Sequence, residues 1–459
     1  MAENELNKSE ELKYAQYKEL SDSPKEALSG SLDSLTAFGG FDFLEAVVDN
    51  VQNMNPERKA RKNIFLGESS KKKERENLKD TLGVWIGILS DADSITEMVE
   101  SCEKQSEAAN KTLKKNVKKA LEESSDLEKS YRSLNLFFSN TEMDKLKNLS
   151  IMNADMEFLQ DMDDTRKFLS TAQEELVSCY DRLDLRDNYG LMVIPGYLGS
   201  NMAIEKWSKM AFANKVMLIT DYRHLENPDD VIEMFEEENM TSGDIHKANA
   251  IMTCNYLVGR EKEEQFGEEE ELFVPPSGAY AGKIYSTLMS QVTAGKKHGG
   301  INDVAGVKFP LKRGEIANME KIGLVPMVNE YGKVMAFSAK TLFNGDNLGL
   351  QTYSVVRVFD YVTKVLMDFL NRRAFENFTS KTRKDLQRQI IQFLDSITGP
   401  DKLIEKFKIL KLDKDPNQPD KIFVDIHMTP YFPAKNFIIK MDGEKGDDGT
   451  EWNSEYEQE

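Results

Sequence analysis

The sequence predicts a multi-domain protein of mixed α/β (α+β) class, with a helical N-terminal region, a central mixed α/β sheet domain and a C-terminal β ribbon. Three observations predict this. Residues 80–180 contain no proline and are rich in Glu and Lys, as in long helices. From about residue 189, short apolar runs alternate with helical patterns, as in an α/β layer. Two very apolar segments near the C-terminus flank the turn TPYFPAK, as in a two-stranded ribbon.

The composition disfavours several classes of partner. The chain has 459 residues, and 60 Lys+Arg against 79 Asp+Glu give a net charge of −19. Phosphate binding needs a basic surface, so we expect no nucleic-acid partner and no binding to anionic membranes. Three cysteines disfavour a disulfide scaffold and indicate a reducing compartment. No run of about 18 uncharged apolar residues occurs, so we expect a cytoplasmic protein without direct membrane insertion.

The N-terminal residues divide into two predicted segments. Residues 1–30 form a polar segment, in which 5–20 have the spacing of a short amphipathic helix. Residues 31–80 are predicted as a helix followed by a charged linker at 67–79. This helix carries one apolar stripe, formed by Phe43, Leu44, Val47, Val48 and Val51. The stripe either packs on the protein's own core or forms a partner face, and the pattern does not separate the two.

Residues 81–185 are predicted to form a helical region. The segment 103–130 is so polar that we expect a solvent-exposed helix or hairpin there.

Residues 186–380 are predicted to form the central α/β core. Apolar strands are expected at 190–196 and 215–222, and helices at 203–213 and 229–237. Further along, the segment 352–376 is the clearest helix of the chain, because its apolar residues follow the helical period.

Residues 381–443 are predicted to hold a second helix at 382–397 and the ribbon, with strands at 421–428 and 436–441. A lone ribbon has open edges that invite pairing with another chain. Our candidates for such pairing are Ile422, Phe423, Val424, Ile426, Phe437, Ile438 and Ile439. The alternative, that the ribbon closes onto the protein's own sheet, fits the sequence equally well. Residues 444–459 are an acidic tail that we expect to be disordered.

A search for catalytic patterns finds no active site. None of the four histidines has metal-ligand spacing to another histidine or to a cysteine, and no cysteine has an activating histidine nearby. No phosphate-binding loop occurs. The turn at 194–200, between a strand and a helix, comes closest to a nucleotide site and keeps an α/β enzyme as an alternative. We predict no catalytic residue, no cofactor, no metal and no enzymatic activity.

The segment PPSGAYAG at 275–282 resembles the PPSG-x-x-AG segment of contractile phage-tail sheath proteins, which follows a strand and opens a helix. In this motif Ser277 is a natural helix N-cap, and the small residues permit close packing of the first turn. The residues that carry the resemblance are Pro275, Pro276, Ser277, Gly278, Ala281 and Gly282.

From about residue 185 to 443, the order of elements resembles the large sheath subunit of bacterial type VI secretion systems. There a long helix precedes a second helix, a charged flexible connector and a ribbon with a P-x-F-type turn, here 411–420 and 428–441. The first 180 residues match only in character. An acidic surface loop at 261–271 and the acidic tail depart from the better-known members, so the chain looks like a divergent branch.

The resemblance implies a mechanical role. Members of the family pair with a small sheath subunit, stack as six-fold rings of neighbouring protomers around an inner tube, and contract on a baseplate signal to drive the tube and its effectors out. Interlaced strands join the protomers, and an AAA+ unfoldase recycles contracted sheath. The resemblance makes the stripe beginning at Phe43 a candidate for small-subunit pairing and residues 5–20 a candidate for unfoldase binding. A phage-like tail sheath, built from one sheath protein, is an alternative.

Overall fold

The computed structural model describes residues 67–90, 94–142, 144, 146–160, 167–185, 188–418, 420–435, 438–445 and 450–457. The chain divides into two compact units, Met1–Lys119 and Ala120–Glu459. The apolar stripe at 43–51, the segment 5–20 and Phe437 lie outside the described residues. Among the described helices, none combines the length and the apolar character that a membrane span requires.

The described helices are, in chain order, α1 Lys72–Ser90, α2 Ile95–Asn140, α3 Met156–Gln160, α4 Lys167–Tyr180, α5 Asn201–Ala213, α6 Pro228–Glu237, α7 Ser277–Ser286, α8 Gly295–His298, α9 Arg313–Lys321, α10 Leu348–Gln351, α11 Tyr353–Asn371 and α12 Ser380–Ser396. The described strands are β1 Leu191–Ile194, β2 Met217–Asp221, β3 Ala250–Cys254, β4 Leu257–Arg260, β5 Leu272–Val274, β6 Gly306–Val307, β7 Leu324–Glu330, β8 Lys333–Ala336, β9 Ile404–Lys414, β10 Ile422–Pro430, β11 Ile438–Lys445 and β12 Thr450–Glu457.

The first unit contains a helix where the sequence analysis expected a linker. A 3₁₀ turn and helix α1 occupy most of 67–79, so that prediction was wrong. Lys, Arg and Glu are good helix formers, and their spacing lets opposite charges pair along the helix. Lys71 Nζ lies 2.7 Å from Glu74 Oε1, and Lys72 Nζ lies 3.9 Å from Glu76 Oε1.

Helix α2 is continuous, which decides between the helix and the hairpin expected at 103–130. No glycine or proline interrupts its 46 residues. In the second unit, its C-terminal residues are attached to the protein's core. Leu136 is buried, and Arg132 Nη1 donates to the carbonyl oxygen of Gly259 at 2.9 Å.

A five-stranded sheet forms the centre of the second unit, in the order β1-β2-β3-β7-β8. The first four strands are parallel and β8 is antiparallel to β7. The strands expected at 190–196 and 215–222 are β1 and β2, with Val193 opposite Ile219. The mixed α/β class predicted from the sequence is confirmed.

Both faces of this sheet are buried, because successive residues of a strand point to opposite sides. On β2, Leu218 joins one apolar cluster with Trp207 of α5, while Ile219 joins a second cluster with Tyr280 of α7. The sheet therefore lies between two helical layers. The loops that connect strands to helices come together at the ends of its strands.

A smaller sheet, in the order β5-β4-β6, carries the acidic loop at 261–271 between β4 and β5. The loop is tied down at its centre. Arg260 donates two hydrogen bonds to Glu268, at 2.7 and 2.9 Å, and two to Glu128 of α2, at 3.0 and 3.4 Å. The Arg260 guanidinium lowers the pKa of Glu268 to about 2.

Candidate assembly site

The C-terminal strands pair differently from the ribbon that the sequence predicted. Strand β10 pairs antiparallel with β9, from Ile422 opposite Lys414 to Pro430 opposite Ile404. The prediction that 421–428 pairs with 436–441 was therefore wrong. The prediction of a flexible connector at 411–420 was wrong as well, because this segment contains the end of β9 and a turn. In KFKILKLDK, lysines alternate with apolar residues, as they do in a half-buried strand. The high lysine content led us to interpret the segment as a solvated connector.

The inner face of the β9–β10 hairpin is covered by its own chain. Phe407, Ile409, Val424, Ile426 and Met428 pack against a cluster formed by α11 and α12 and the first residue of β9. The cluster consists of Val358, Val362, Ile390, Leu394 and Ile404. The side chains of Val424 and Ile426 are thus occupied within the chain. What the hairpin leaves open is its strand edges and its outer face.

The outer face of the hairpin is basic. Register places Lys411 opposite Asp425, Lys408 opposite His427 and Lys406 opposite Thr429. The ring of Phe423 also lies on this face, where it is 38% exposed and stands opposite Asp413.

Two lysines cover the exposed ring of Phe423. Lys411 Nζ lies 4.9 Å and Lys421 Nζ 5.5 Å from its centroid, which is the geometry of cation–π contacts. Charged residues on the outside of an edge strand discourage unspecific pairing.

Strands β11 and β12 form a second two-stranded ribbon, from Ile438 opposite Glu457 to Lys445 opposite Thr450. The tail at 444–459 was expected to be disordered, but most of it belongs to this ribbon. Trp452, Ser454 and Tyr456 alternate with acidic and amide residues, and that period of two suits a strand despite the charge. Ile438 and Ile439, our candidates for inter-subunit pairing, lie at the start of β11.

Each of the two ribbons has two edges that pair with no strand in the described part of the chain. Unpaired edges present rows of backbone N–H and C=O groups that another strand can complete. The described candidates thus lie on strands with open edges; they are Ile422, Phe423, Val424, Ile426, Ile438 and Ile439. Their pairing with another subunit stays a prediction.

The PPSG segment lies in the interior. Helix α7 begins at Ser277, and Pro276 occupies the N-cap position. Our expectation that Ser277 caps the helix was wrong. Instead its backbone N donates to Asp221 Oδ1 at 2.8 Å, and its hydroxyl donates to Asp221 Oδ2 at 2.5 Å. The carboxylate of Asp221, on strand β2, therefore caps the N-terminus of α7, where a negative charge complements the helix dipole.

Asp221 is a fully buried carboxylate at the end of β2. It accepts two further hydrogen bonds, from the backbone N of Gly196 at 2.8 Å and from the hydroxyl of Thr253. Burial raises the pKa of Asp221 to about 6, although four donors favour its charged form. This one side chain joins β2 to β3, to the turn after β1 and to the first turn of α7.

Gly278 and Gly282 let helices α7 and α2 approach closely. A Cβ on Gly278 would lie 2.7 Å from the carbonyl oxygen of Ser133, and one on Gly282 would lie 2.3 Å from that of Phe137. Ala281 and Pro276 are buried beside them, and Pro275 is half-buried. The six residues of the motif therefore build the core rather than a docking surface.

Replacing Gly282 by alanine should force the two helices apart. We expect it to lower the free energy of unfolding by about 1–3 kcal/mol, since overpacked cores lose that much. The matched control is Gly314→Ala in α9, where a Cβ would meet nothing within 4 Å. That change should be neutral or stabilising by up to about 1 kcal/mol. Thermal unfolding of both variants measures the difference, and equal melting temperatures would contradict the close approach.

The turn at 194–200 uses its polar groups internally. Gly196 N donates to Asp221, and the Ser200 hydroxyl accepts from Ala203 N at 3.2 Å as the N-cap of α5. Gly199 has a φ of +82°, and a Cβ there would lie 2.8 Å from the Gln160 side chain. The groups that would hold a nucleotide are engaged by the protein itself.

The remaining candidates for chemistry have structural surroundings. Cys254 is buried, with its Sγ 3.8 Å from Met319 Sδ, and burial raises the pKa of its thiol. Within the described residues, no three His, Cys, Asp or Glu side chains gather in a way that could hold a metal ion.

Three family models match successive parts of the chain. A model of the TssC/VipB-like N-terminal region matches residues 28–117. The central domain of type VI secretion system TssC/VipB matches 119–344, and the TssC/VipB-like C-terminal domain matches 352–458. The chain belongs to the TssC/VipB family of the type VI secretion system. This confirms the resemblance found in the sequence, and the family makes the chain a contractile sheath subunit.

Solved structures of other contractile assemblies are similar to this TssC/VipB-family chain at low identity. A chain of the anti-feeding prophage (AFP) baseplate is 17% identical, with a TM-score of 0.45 over 67% of this chain and 78% of that one. A chain of the contracted AFP helical sheath is 16% identical, with a TM-score of 0.46 over 67% and 79%. A chain of the contracted PVC sheath complex is 15% identical, with a TM-score of 0.39 over 50% and 66%. A search of curated protein sequences found no significant match.

Proposed function

We propose that this chain is the large subunit of a type VI secretion sheath. It pairs with a small sheath subunit, and the pairs stack as six-fold rings around an inner tube. Contraction then drives the tube and its effectors out of a cell in whose cytoplasm the sheath assembles. The observation that carries the proposal is the match of three TssC/VipB models, in order along the chain, to residues 28–117, 119–344 and 352–458.

The two open ribbons support the part of the proposal that concerns neighbouring protomers. A contracting sheath needs joints that hold while the bodies move, and strand addition supplies many backbone hydrogen bonds along one line. The β9–β10 hairpin is fixed to α11 and α12 by its inner face, so a strand added to its edge would be joined directly to the folded body.

The proposed role is mechanical and not enzymatic. Asp221 and the turn at 194–200 are the features that most resemble a catalytic site. Both form hydrogen bonds that connect elements of the fold, which supports a structural role for them. The contacts proposed for the inner tube, the baseplate and an AAA+ recycling unfoldase rest on the family alone. The candidate residues for small-subunit pairing and for the unfoldase lie outside the described residues.

The test is to purify the tagged chain from its native cell, identify the proteins that accompany it, and image the material by negative stain. We expect hollow cylinders that contain one smaller sheath partner. Cylinders built from this chain alone would favour the phage-like sheath. A monomer without a partner would overturn the proposal, and a ligand screen would then address the enzyme alternative.

A further inference from the structure

A cavity of about 410 Å³ lies beside α11, where this helix meets the residues that begin β1 and β2. Its wall carries many charged side chains. Six charged side chains line it: Lys215, Arg357, Asp360, Lys364, Asp368 and Arg372. Four cations against two carboxylates leave the wall with a net charge of +2.

The two carboxylates are already engaged by other groups. Asp360 accepts a hydrogen bond from Asn249 Nδ2 at 2.7 Å, and it lies 3.7 Å from Lys215 Nζ. Asp368 is paired with Arg372, one turn further along α11. These contacts account for two of the four cations.

Arg357 and Lys364 form no ion pair within the described residues. Lys364 is 6% exposed, and its Nζ donates to the carbonyl oxygens of Tyr189 and Lys215, both at 2.9 Å. An ammonium has three N–H groups, so one remains. The Nη1 atom of Arg357 is buried without any hydrogen-bond partner.

Burial disfavours the charged forms of both side chains, and a nearby carboxylate, that of Asp360, opposes this effect for Lys364 but not for Arg357. Burial lowers the pKa of Lys364 to about 8 and that of Arg357 to about 10. Buried uncompensated cations destabilise a fold, and replacing them by apolar groups is often neutral or stabilising. Arg357 and Lys364 lie on one face of α11, and neither forms an ion pair in the described part of the chain. An anion from outside this chain would supply the negative charge that their surroundings lack.

We propose that this cavity binds an anion through a carboxylate group held between Arg357 and Lys364. A guanidinium matches a carboxylate with two parallel hydrogen bonds, and the remaining N–H of Lys364 supplies a third. The carboxylate comes either from a small free polycarboxylate or from an Asp or Glu side chain of a second copy of this chain. Both sources offer the same chemistry, and a chain with 79 acidic residues is rich in the second.

The first arm of the test uses citrate with the full chain and sodium chloride at equal ionic strength. Citrate should raise the melting temperature of the wild type by about 2 °C at tenfold excess over its Kd. Arg357→Met should abolish that rise and leave the ligand-free melting temperature unchanged or higher. The control is Arg388→Gln, whose guanidinium is 68% exposed and paired with Asp385, and which should keep the citrate response.

The second arm measures the amount of sheath that sediments when the chain is produced with its small sheath partner. This arm rests on the proposed function, whereas the citrate arm does not. If the carboxylate belongs to a second copy, citrate gives no shift, and Arg357→Met reduces sedimented sheath at least tenfold while Arg388→Gln does not. Absence of both effects overturns the proposal. It is also overturned if Arg357→Met lowers the ligand-free melting temperature by more than about 5 °C while Arg357→Lys does not, because the positive charge would then serve the fold without any added anion.

Discussion

Replacing Asp221 by asparagine should lower the free energy of unfolding by about 2–4 kcal/mol, the largest stability effect expected of one isosteric change in this chain. Each carboxylate oxygen receives one fixed backbone N–H, from Ser277 or from Gly196. An asparagine must place its NH₂ group at one of these two positions. Two donors would then face each other in a fully buried site, and whichever way the amide turns, a buried N–H loses its acceptor.

The pH dependence of this effect has a definite sign. Burial raises the pKa of Asp221 to about 6, so between about pH 4 and 6 the folded state holds a proton that the unfolded chain has released. Its contribution to stability is fully present below about pH 4 and is lost as the pH rises through 6. A protonated carboxyl fits the site, because its O–H can donate to a hydroxyl while the oxygen still accepts. The stability difference between wild type and Asp221→Asn should therefore be larger at pH 5 than at pH 7.5.

The matched control for this experiment is Asp229→Asn in the exposed first turn of α6. Its carboxylate only complements the helix dipole, so the change should cost less than about 1 kcal/mol. Thermal unfolding of the three proteins at both pH values separates the two sites. An Asp221→Asn protein as stable as the control would show that the four hydrogen bonds contribute little.

A chain that ends at Lys435 should fail to form sheath cylinders. The truncation removes β11 and β12 and with them two of the four open strand edges. It leaves the β9–β10 hairpin, its apolar contacts with α11 and α12, and the hydrogen bond from the Tyr431 hydroxyl to the carbonyl oxygen of Gly399. We therefore expect the melting temperature to stay within about 2 °C of the wild type while assembly is lost.

The readout is negative-stain imaging of the truncated chain produced with its small partner. Retained co-purification of that partner serves as the control for folding. Removing 421–443 instead would be a poor test, because β10 covers an apolar cluster and its loss would expose it. Cylinders of normal length from the truncated chain would exclude β11 and β12 from the joints between protomers.

The strands and helices of the central domain could be predicted because each carries its own apolar pattern. Helix α11 buries residues at the helical spacing, and strand β2 is a short continuous run whose five residues are all buried. Strand β9 could not be found in this way. Its lysines alternate with apolar residues on a half-exposed surface, and the same letters suit a solvated connector. Residues 404–414 form a strand because they pair with β10, and this pairing cannot be read from the local sequence of β9.

The role of Asp221 was hidden for a related reason. A carboxylate that ends a buried strand is a visible signal, but its four donors come from residues 196, 253 and 277, which only the sheet order brings together. The charges of α11 were visible too. Arg357, Asp360, Lys364 and Asp368 recur at one-turn spacing, yet the apolar period of the same helix drew attention to its opposite face. Whether such charges pair can be judged only from the fold.

The basic outer face of the β9–β10 hairpin has a consequence for how copies of this chain meet. Four lysines, Lys406, Lys408, Lys411 and Lys421, stand there against two aspartates, Asp413 and Asp425, on a chain whose net charge is −19. Such a distribution orients approaching copies before they touch, with the hairpin of one turned towards the acidic remainder of the next. Its range is the Debye length, about 8 Å at physiological ionic strength and about 3 Å at 1 M. The encounter should thus be slowed by salt, whereas backbone pairing, once formed, should resist it.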